Sequence, residues 1–393
     1  MSYYTLPKKN IDFTINPEFC ETQLTPYISI SLYSYLKDVN LELDDISNKE
    51  LIHDISSNTE CNIQLLNKII NQYEFIFYKV PNTKISVSKL KPYSNTFYVF
   101  MEINNLFSIL DFFDNININV MCYGENSTSI VECINMFREN NLDTIWINTY
   151  IDINSGSIKS SENTIQSSSI NFLYYELEDC VYKETNNYIK SMVFILCSLL
   201  YYQCENGICI IKIQDIFYKP ILDILYILSS LYEKIYIIKP IITNIISGER
   251  YIICKKFILN SHKIPIYNNY IYSLKPLLIN YPFYNNGCEY SKNISTIIKN
   301  KFSCYFLNKI EESNIIIGHS QIDNITQLIN LFKNKNKDDK IENIKKSNIQ
   351  KCVQWCEKYK IPHNKFTDKI NIFLPNYLTG SYDPLIRRDT LFL

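Results

Sequence analysis

The middle of the chain alternates between short apolar runs and longer segments whose apolar residues recur at helical spacing. The runs predict buried strands at residues 119–123, 144–149, 170–177, 207–213, 234–239 and 250–258. The helical spacing predicts amphipathic helices over residues 127–140, 183–203 and 215–233, the last with Asp215 as its N-cap. Strands that alternate with helices predict an α/β fold with a doubly wound, mostly parallel sheet.

The last two predicted strands follow each other without a helix between them. Only residues 240–249 join them, which predicts a hairpin whose second strand, 250–258, runs antiparallel to the rest of the sheet. Residues 207–213 form a continuous apolar run, which is typical of a strand buried on both faces.

The two ends of the chain have a different character. Residues 1–72 carry polar turns such as 40–48 and 56–62, so we predict an irregular accessory region there. Residues 152–169 are rich in Ser and Asn and predict a loop. Beyond the sheet we predict helices at 322–332 and 350–360, with a solvated loop or frayed helix at 333–346. The predicted regions are an N-terminal accessory region (1–72), the sheet domain (73–258) and a mostly helical C-terminal extension (259–393).

Composition changes how motifs have to be read. The chain has no alanine and only 7 glycines, whereas Ile, Asn, Lys and Tyr are abundant. Alanine is normally among the commonest residues, and the codons of Ala and Gly are GC-rich. The bias therefore indicates a very AT-rich genome, as in some large DNA viruses or protozoa. Asn or Ser can stand where another protein has Gly or Ala.

Charge and cysteine usage narrow the functional classes. A net charge of −1 provides no general basic field, so any RNA site must be a local lysine patch. The 13 scattered cysteines and the absence of a recognisable leader predict reduced thiols in a cytosolic compartment. The longest apolar run, residues 192–202, is too short to cross a bilayer, and we predict no membrane association.

Residues 191–257 carry several motifs in order. Lys212 ends a strand, Asp215 follows it, a Lys-Pro pair at 239–240 ends the next strand, and a Ser-x-Glu-x-Tyr motif at 247–251 precedes the last strand. In this order and spacing the motifs resemble those of the FtsJ-type RNA ribose 2′-O-methyltransferases.

Two further stretches extend the resemblance to about residues 73–258. Residues 73–103 are similar to the start of the domain in the viral mRNA-cap branch of that family, found in large cytoplasmic DNA viruses, and residues 122–138 align with its cofactor loop. A Trp-Cys pair at 355–356 also resembles the viral members. The resemblance implies a Rossmann-like methyltransferase sheet, mostly parallel with an antiparallel last strand, that carries N- and C-terminal extensions.

The resemblance also implies site residues. Methyl transfer to a ribose 2′-hydroxyl needs a base, for which the family uses a lysine oriented by carboxylates. These roles fall on Lys212 as base, Glu249 as its orienting partner and Glu176 as the acidic residue after the third core strand. The implied S-adenosylmethionine-binding residues are Gly124, Glu125, Asn126, Ser127, Thr128 and Ser129. Lys89 and Lys91 are the candidates for RNA contacts.

The cofactor loop departs from the family pattern. The family has glycines and a proline where this chain has Asn126, Ser127, Thr128 and Ser129, and only Gly124 remains nearby. Glycine allows close backbone approach and positive φ, which Thr disfavours. We therefore expect weak or absent S-adenosylmethionine binding, unless Asn126 replaces a glycine and Ser127 or Ser129 binds the cofactor's carboxylate.

Two functions from different classes remain open. An S-adenosylmethionine-dependent RNA 2′-O-methyltransferase acting on the mRNA cap is favoured by Lys212 and Glu249. A catalytically inactive scaffold or RNA-binding subunit of a viral transcription or mRNA-processing complex is favoured by the altered loop and by Val99, which stands where the family has its first catalytic lysine. In that case Lys212 merely leaves the sheet edge. Both functions predict RNA, above all capped mRNA, and viral subunits as partners, in the host cytoplasm or the virion.

Other chemistries find little support in the sequence. Cys352, Cys356 and His363 lie close together, but no second ligand pair follows at zinc-site spacing, and we predict no metal. The chain has neither a Ser-His-Asp arrangement nor a phosphate-binding Gly-x4-Gly-Lys motif.

Overall fold

The computed structural model describes residues 3–9, 13–53, 63–148, 150–152, 157–159, 165–177, 179–260, 262–278, 292–334 and 338–366. The strands in these ranges are β1 (Tyr3–Leu6), β2 (Ile15–Cys20), β3 (Asn119–Tyr123), β4 (Thr144–Ile147), β5 (Tyr150–Asp152), β6 (Ser157–Lys159), β7 (Ile170–Glu176), β8 (Gln203–Ile213), β9 (Tyr232–Ile238), β10 (Arg250–Phe257) and β11 (Asn293–Ile298). The helices are α1 (Ile30–His53), α2 (Ile63–Ile70), α3 (Thr96–Phe107), α4 (Ser127–Phe137), α5 (Thr185–Tyr202), α6 (Lys219–Leu231), α7 (Lys263–Leu274), α8 (Cys304–Lys333) and α9 (Asp338–Lys358).

A central sheet organises the described residues, with seven strands in the order β1-β9-β10-β8-β7-β3-β4. The strands β4, β3, β7 and β8 pair in parallel. Strand β10 pairs antiparallel with β8 on one side and with β9 on the other, and β1 pairs antiparallel with β9. Because β9 opposes β10, it points the same way as β8. The predicted α/β class is confirmed, as are the mostly parallel sheet and its antiparallel last strand, and the architecture is compatible with a Rossmann-like fold.

The sheet is covered by a hydrophobic core on each face, which explains the continuous apolar run in β8. Cys209 and Ile211 point into one core, whereas Ile208 and Ile210 point into the other. Successive side chains of a strand point to opposite faces, so a strand covered on both sides must be apolar at every position. Helices α5 and α6 lie on the first face, and α3 and α4 lie on the second.

Both cores include side chains from beyond the predicted sheet domain. Tyr4 and Phe306 belong to the first core, while Leu66 and Trp355 belong to the second. Strand β1 extends the sheet itself. The described parts of both ends thus pack directly against residues 73–258, while the predicted boundaries at 72 and 258 stay predictions.

The prediction of an irregular N-terminal region is wrong for residues 30–53. They form α1, which runs through the polar stretch 40–48 that was expected to be a turn. The helix is held by tertiary packing: a Cβ placed on Gly318 of α8 would lie 2.8 Å from Leu32 Cδ2, so glycine allows the close approach. The other expected turn, 56–62, lies outside the described residues.

Other element boundaries also differ from the prediction. Helix α6 begins at Lys219 after Tyr218, with Pro220 in its first turn, so Asp215 is not its N-cap. Asp215 is buried near Arg250 instead, and burial raises the pKa of Asp215 to about 6 against the opposing effect of the arginine. Residues 157–159, expected in a loop, form β6, and residues 338–346 belong to α9. None of the described helices is both long and apolar enough to cross a membrane.

Candidate active site

A buried ion pair joins the ends of two neighbouring parallel strands. Glu176 ends β7 and pairs in register with Lys212 near the end of β8. Lys212 Nζ lies 2.7 Å from Glu176 Oε1, and the two side chains are only 13% and 4% exposed. Ligands of open α/β sheets bind at this carboxyl edge. Two of the three predicted catalytic residues are therefore in direct contact where a substrate would be expected.

The Glu176 carboxylate is the centre of this cluster. Besides Lys212, it accepts a hydrogen bond from Asn126 Nδ2 at Oε1 (2.9 Å) and one from the Tyr174 hydroxyl at Oε2 (3.2 Å). Burial raises the pKa of Tyr174 well above its usual value, and the charges of Glu176 and Glu249 add to the effect. Tyr174 is therefore a neutral donor, and Glu176 links the loop after β3 to the lysine of β8.

Glu249 reaches the same face of the sheet from an antiparallel strand. It immediately precedes β10 and so lies at that strand's amino end. Tyr251 pairs in register with Lys212, and Glu249, two residues earlier, shares that face. The Tyr251 hydroxyl donates to Glu249 Oε1 at 3.0 Å. Burial raises the pKa of Tyr251, and Glu249 and Glu176 both contribute, which shows that the two carboxylates act on the same tyrosine.

The loop that carries Glu249 is held from inside by a partly buried lysine. Lys239 Nζ donates to three backbone oxygens, those of Asn244 (2.9 Å), Ser247 (2.8 Å) and Glu249 (3.1 Å). An ammonium has three hydrogens, so the charged form satisfies all three carbonyls and the neutral amine cannot. Burial lowers the pKa of Lys239 to about 8, with Glu249 acting in the opposite direction.

A second buried group holds the start of the same loop. Glu102 of α3 accepts the backbone N–H groups of Ile241 at 3.2 Å and Ile242 at 3.4 Å. Burial raises the pKa of Glu102 to about 7, although these hydrogen bonds oppose the rise. Val99, on the same helix, is buried in the core. The position of the family's first catalytic lysine is therefore part of the hydrophobic interior here.

Gly124 is required by packing within the loop after β3. Its φ is +133°, and a Cβ at this position would lie 2.6 Å from the backbone oxygen of Glu176. Its N–H donates to Asn148 Oδ1 at 2.7 Å. The glycine thus allows the loop to pack against the end of β7.

The other loop residues differ from what the sequence led us to expect. Asn126 has a φ of −95°, so it does not replace a glycine in the left-handed region. Thr128 lies in the first turn of α4 and carries no left-handed strain. Ser127 Oγ donates to the Gly124 carbonyl at 2.8 Å. Ser129 Oγ accepts the Ser94 N–H at 2.7 Å. Both serines are buried and already bonded within the protein, whereas Glu125 and Thr128 are exposed.

Lys89 and Lys91 lie on the extended segment before α3. Both are exposed. The Lys89 N–H donates to the Pro362 carbonyl at 2.8 Å, and Lys91 Nζ donates to Ser86 Oγ and, at 3.4 Å, to the Ser88 carbonyl. In the described part of the chain these contacts tie the two lysines to the C-terminal segment and to their own neighbours, not to the Glu176–Lys212 pair.

Sequence reasoning missed four contributors to this site, namely Tyr174, Tyr251, Lys239 and Glu102. Alternation could have found the tyrosines, because each stands two residues from a predicted catalytic carboxylate on a strand. Lys239 was visible in the sequence only as part of the Lys-Pro pair at 239–240. Glu102 is a lone acid in an apolar helix, and such a residue indicates a buried polar contact without identifying its partner.

Within the described residues, no group of three His, Cys, Asp or Glu side chains could hold a metal ion. Cys352 and Cys356 are buried in α9, and burial raises the pKa of Cys356 to about 12. Neither a protein-family model nor a curated protein matches the chain. The geometry of the strand ends therefore provides the basis for a functional assignment.

Proposed function

We propose that the chain is an S-adenosylmethionine-dependent RNA ribose 2′-O-methyltransferase of the FtsJ type, or a close derivative, with Lys212, Glu176 and Glu249 as its catalytic residues. The observation that carries the proposal is the buried Glu176–Lys212 pair at 2.7 Å, with Glu249 on the same face of the neighbouring strand. Deprotonation of a ribose hydroxyl requires a base, and the family that the sequence resembles uses a lysine oriented by carboxylates.

The sheet supports the proposal independently of the side chains. Strand β10 is inserted antiparallel between β8 and β9, which is the ending that the methyltransferase version of a doubly wound sheet adopts. Fold does not imply function, so this topology favours a methyltransferase ancestry and leaves the activity to the site.

The charges around Lys212 define the chemistry available to it. Its bond to Glu176 favours the ammonium form, which orients a ribose hydroxyl but cannot take its proton. Lys239 brings a second, partly buried positive charge, and Lys212 contributes in a minor way to the lowered pKa of Lys239, which burial lowers most. Repulsion between the two positive charges favours the neutral amine form of Lys212 and so acts against the effect of the Glu176 carboxylate. We therefore assign Lys212 as the proton acceptor and Glu176 and Glu249 as the groups that orient it.

The cofactor loop fits S-adenosylmethionine incompletely. The cofactor would supply the methyl group, but the hydroxyls of Ser127 and Ser129 are bonded internally. The exposed side chains left in the loop are Glu125 and Thr128. We therefore expect low cofactor affinity, and an assay needs millimolar cofactor.

The test is incubation of the purified chain with capped RNA and millimolar methyl-labelled S-adenosylmethionine, followed by mass spectrometry of the released nucleosides. The proposal predicts label on a ribose 2′-oxygen. Absence of labelled nucleoside, together with absence of binding heat in a cofactor titration, would contradict it.

The second candidate is a catalytically inactive scaffold or RNA-binding subunit of a viral transcription or mRNA-processing complex. The inward-facing hydroxyls of Ser127 and Ser129 favour it, as does the Glu176 carboxylate, whose two oxygens already accept three donors. This candidate predicts RNA binding without methyl transfer under the same conditions.

A further inference from the structure

Two segments that are distant in the sequence form one continuous surface. Residues 79–93 and 358–366 lie side by side, with Ser88 and His363 as bridge partners. Their backbone hydrogen bonds run from Lys89 N–H to Pro362 O (2.8 Å) and from Asn364 N–H to Val87 O (2.8 Å). We call this pair of segments the lysine surface.

The lysine surface carries a strong local charge. Its exposed lysines are Lys79, Lys84, Lys89, Lys91, Lys358, Lys360 and Lys365. Neither segment contains an Asp or Glu, although the whole chain has 40 acidic residues against 39 basic ones. One carboxylate borders the surface, since Glu357 Oε1 lies 4.0 Å from His363 Nε2. Burial is the main cause of the lowered pKa of Lys91, and the charge of Lys79 lowers it further. Charges within the first segment therefore lie close together. Such a concentration of one sign is the local lysine patch that an almost neutral chain needs to bind a polyanion.

An aromatic side chain stands at the end of this surface nearest the candidate active site. Tyr93 is 64% exposed, and its N–H donates to Glu132 Oε2 of α4 at 2.8 Å. The next residue, Ser94, is bonded to Ser129 in the first turns of that helix. The lysine surface therefore ends beside the cofactor loop.

The surface is held in place before any ligand arrives. The Tyr98 hydroxyl donates to the Leu90 carbonyl at 3.0 Å and is hydrogen-bonded to the Ser88 hydroxyl at 2.8 Å. The Tyr98 ring packs edge-on against Trp355 of α9, with centroids 5.8 Å apart. A surface ordered in advance loses less entropy when it binds.

We propose that the lysine surface binds single-stranded RNA, with backbone phosphates on the lysines and an unpaired base stacked on Tyr93. Lysines that track a backbone next to an exposed aromatic ring are the arrangement that binds single strands without sequence preference. The inference rests on the proposed function for the choice of RNA over DNA. It extends the site from Lys89 and Lys91 to the C-terminal segment.

The experiment measures anisotropy of a fluorescein-labelled, unstructured 20-nucleotide RNA across a salt series, without S-adenosylmethionine. The first variant is the double substitution Lys89→Glu with Lys365→Glu, one from each segment. We expect at least tenfold weaker binding near 100 mM salt. The salt slope should become flatter by about 1.4, since each phosphate contact on a single strand contributes about 0.7. The matched control is Lys292→Glu with Lys299→Glu. These two lysines flank β11, which packs on the other face of the sheet, so the control makes the same charge change away from the lysine surface. The control variant should bind RNA more tightly than the surface variant.

A second pair of variants tests stacking apart from charge. Tyr93→Ala should weaken binding about tenfold, within the range of base–aromatic stacking, whereas Tyr93→Phe should bind like the wild type. Equal losses in both would overturn the role of the ring.

The outcomes separate this inference from the proposed function. If the surface double variant bound RNA as tightly as the wild type does, the inference would be overturned, even if the wild type transferred a methyl group. Loss of RNA binding in that variant supports it even if the wild type transfers no methyl group. Equal affinity for duplex RNA would overturn the single-strand claim. Binding to vesicles containing phosphatidylserine, with no RNA bound, would overturn it in favour of a lipid surface.

Discussion

The two halves of the candidate site are built differently. The strand-end half, formed by the ends of β7, β8 and β10, holds Glu176, Lys212 and Glu249 on one face of the sheet, with tyrosines beneath. The loop half, Gly124–Ser129, turns two hydroxyls inward and has one glycine, which the protein's own packing requires.

The difference teaches that the packing of a loop and the placement of charges at the strand ends are separate features of one fold. In the loop half, every buried polar contact we can trace stabilises the protein itself. In the strand-end half, Glu176 is buried and the partly buried Lys212 and Glu249 lie on the same face of the sheet. Burying charge costs stability unless it is compensated, and the Glu176–Lys212 ion pair provides that compensation here.

Removing Glu176, the acceptor that the donors of the strand-end half share, should have the largest effect on stability. In Glu176→Ala, the partly buried Lys212 loses its ion pair with Glu176, and Asn126 and Tyr174 lose an acceptor. We expect a loss of about 3–5 kcal/mol in the free energy of unfolding. Urea denaturation of this variant beside Glu125→Ala, an exposed neighbour expected to stay within about 0.5 kcal/mol, checks it. Equal stability of the two variants would show that the pair is not buried in solution.

The loop half should be most sensitive at its glycine. Gly124→Ala introduces a Cβ at 2.6 Å from the Glu176 backbone oxygen and forces an L-residue to φ +133°. Together these effects should destabilise the protein by about 2–4 kcal/mol. Thermal unfolding measures it, and a near-neutral result would mean that the loop does not pack on β7 as described.

The loop that presents Glu249 provides a test by pH. Burial raises the pKa of Glu102 to about 7 from its ordinary 4.5, so between these values the folded state keeps a proton that the unfolded chain has lost. The wild type should therefore lose stability relative to Glu102→Gln as the pH rises from about 4.5 to 7, by an amount on the order of 3 kcal/mol. Lys239 has a lowered pKa and the opposite trend above pH 8, but it is present in both proteins.

The measurement is urea unfolding of both proteins at pH 5 and pH 7.5. A stability difference that does not change with pH would show that Glu102 ionises in the folded state as it does in water.

The smallest expected effect distinguishes the two neighbouring hydroxyls of the loop. Ser127→Ala removes a buried hydrogen bond to the Gly124 carbonyl and should cost about 1–2 kcal/mol. Thr128→Ala, at an exposed position, should cost less than about 0.5 kcal/mol. Neither substitution should change S-adenosylmethionine affinity, because the Ser127 hydroxyl is bonded to the Gly124 carbonyl. A selective loss of cofactor affinity in Ser127→Ala, measured by calorimetry, would reverse the assignment of that hydroxyl.

Much of the sheet could be predicted because its pattern is local. Residues 120–123 and 251–254 are apolar runs within β3 and β10, and their strand character needs no knowledge of partners. The helix at residues 30–53 could not be predicted in this way. Its polar middle suggests a turn, and the contacts that favour the helix are distant in the sequence, such as the packing of Leu32 against Gly318, nearly 300 positions away.

The charged residues at the strand ends could be found from the sequence, whereas the residues that hold them in place could not. Motif order pointed to Lys212 and Glu249, and pairing of β8 with β10 brings them to one edge. The roles of Lys239 and Glu102 depend on a loop conformation that no local spacing encodes. The prediction that Ser127 and Ser129 bind a ligand stays a prediction, and the sequence could not show that both hydroxyls are hydrogen-bonded within the protein.

The claim that the strand-end half carries the chemistry is tested most directly by one rate comparison. At millimolar S-adenosylmethionine, Lys212→Met should transfer label to the ribose 2′-oxygen of capped RNA about 10²–10⁴-fold more slowly than the wild type. Lys255→Met, which removes a lysine bonded to the Phe107 carbonyl at 2.7 Å on β10, should keep most of the activity. A Lys212→Met rate within threefold of the wild type would contradict the account.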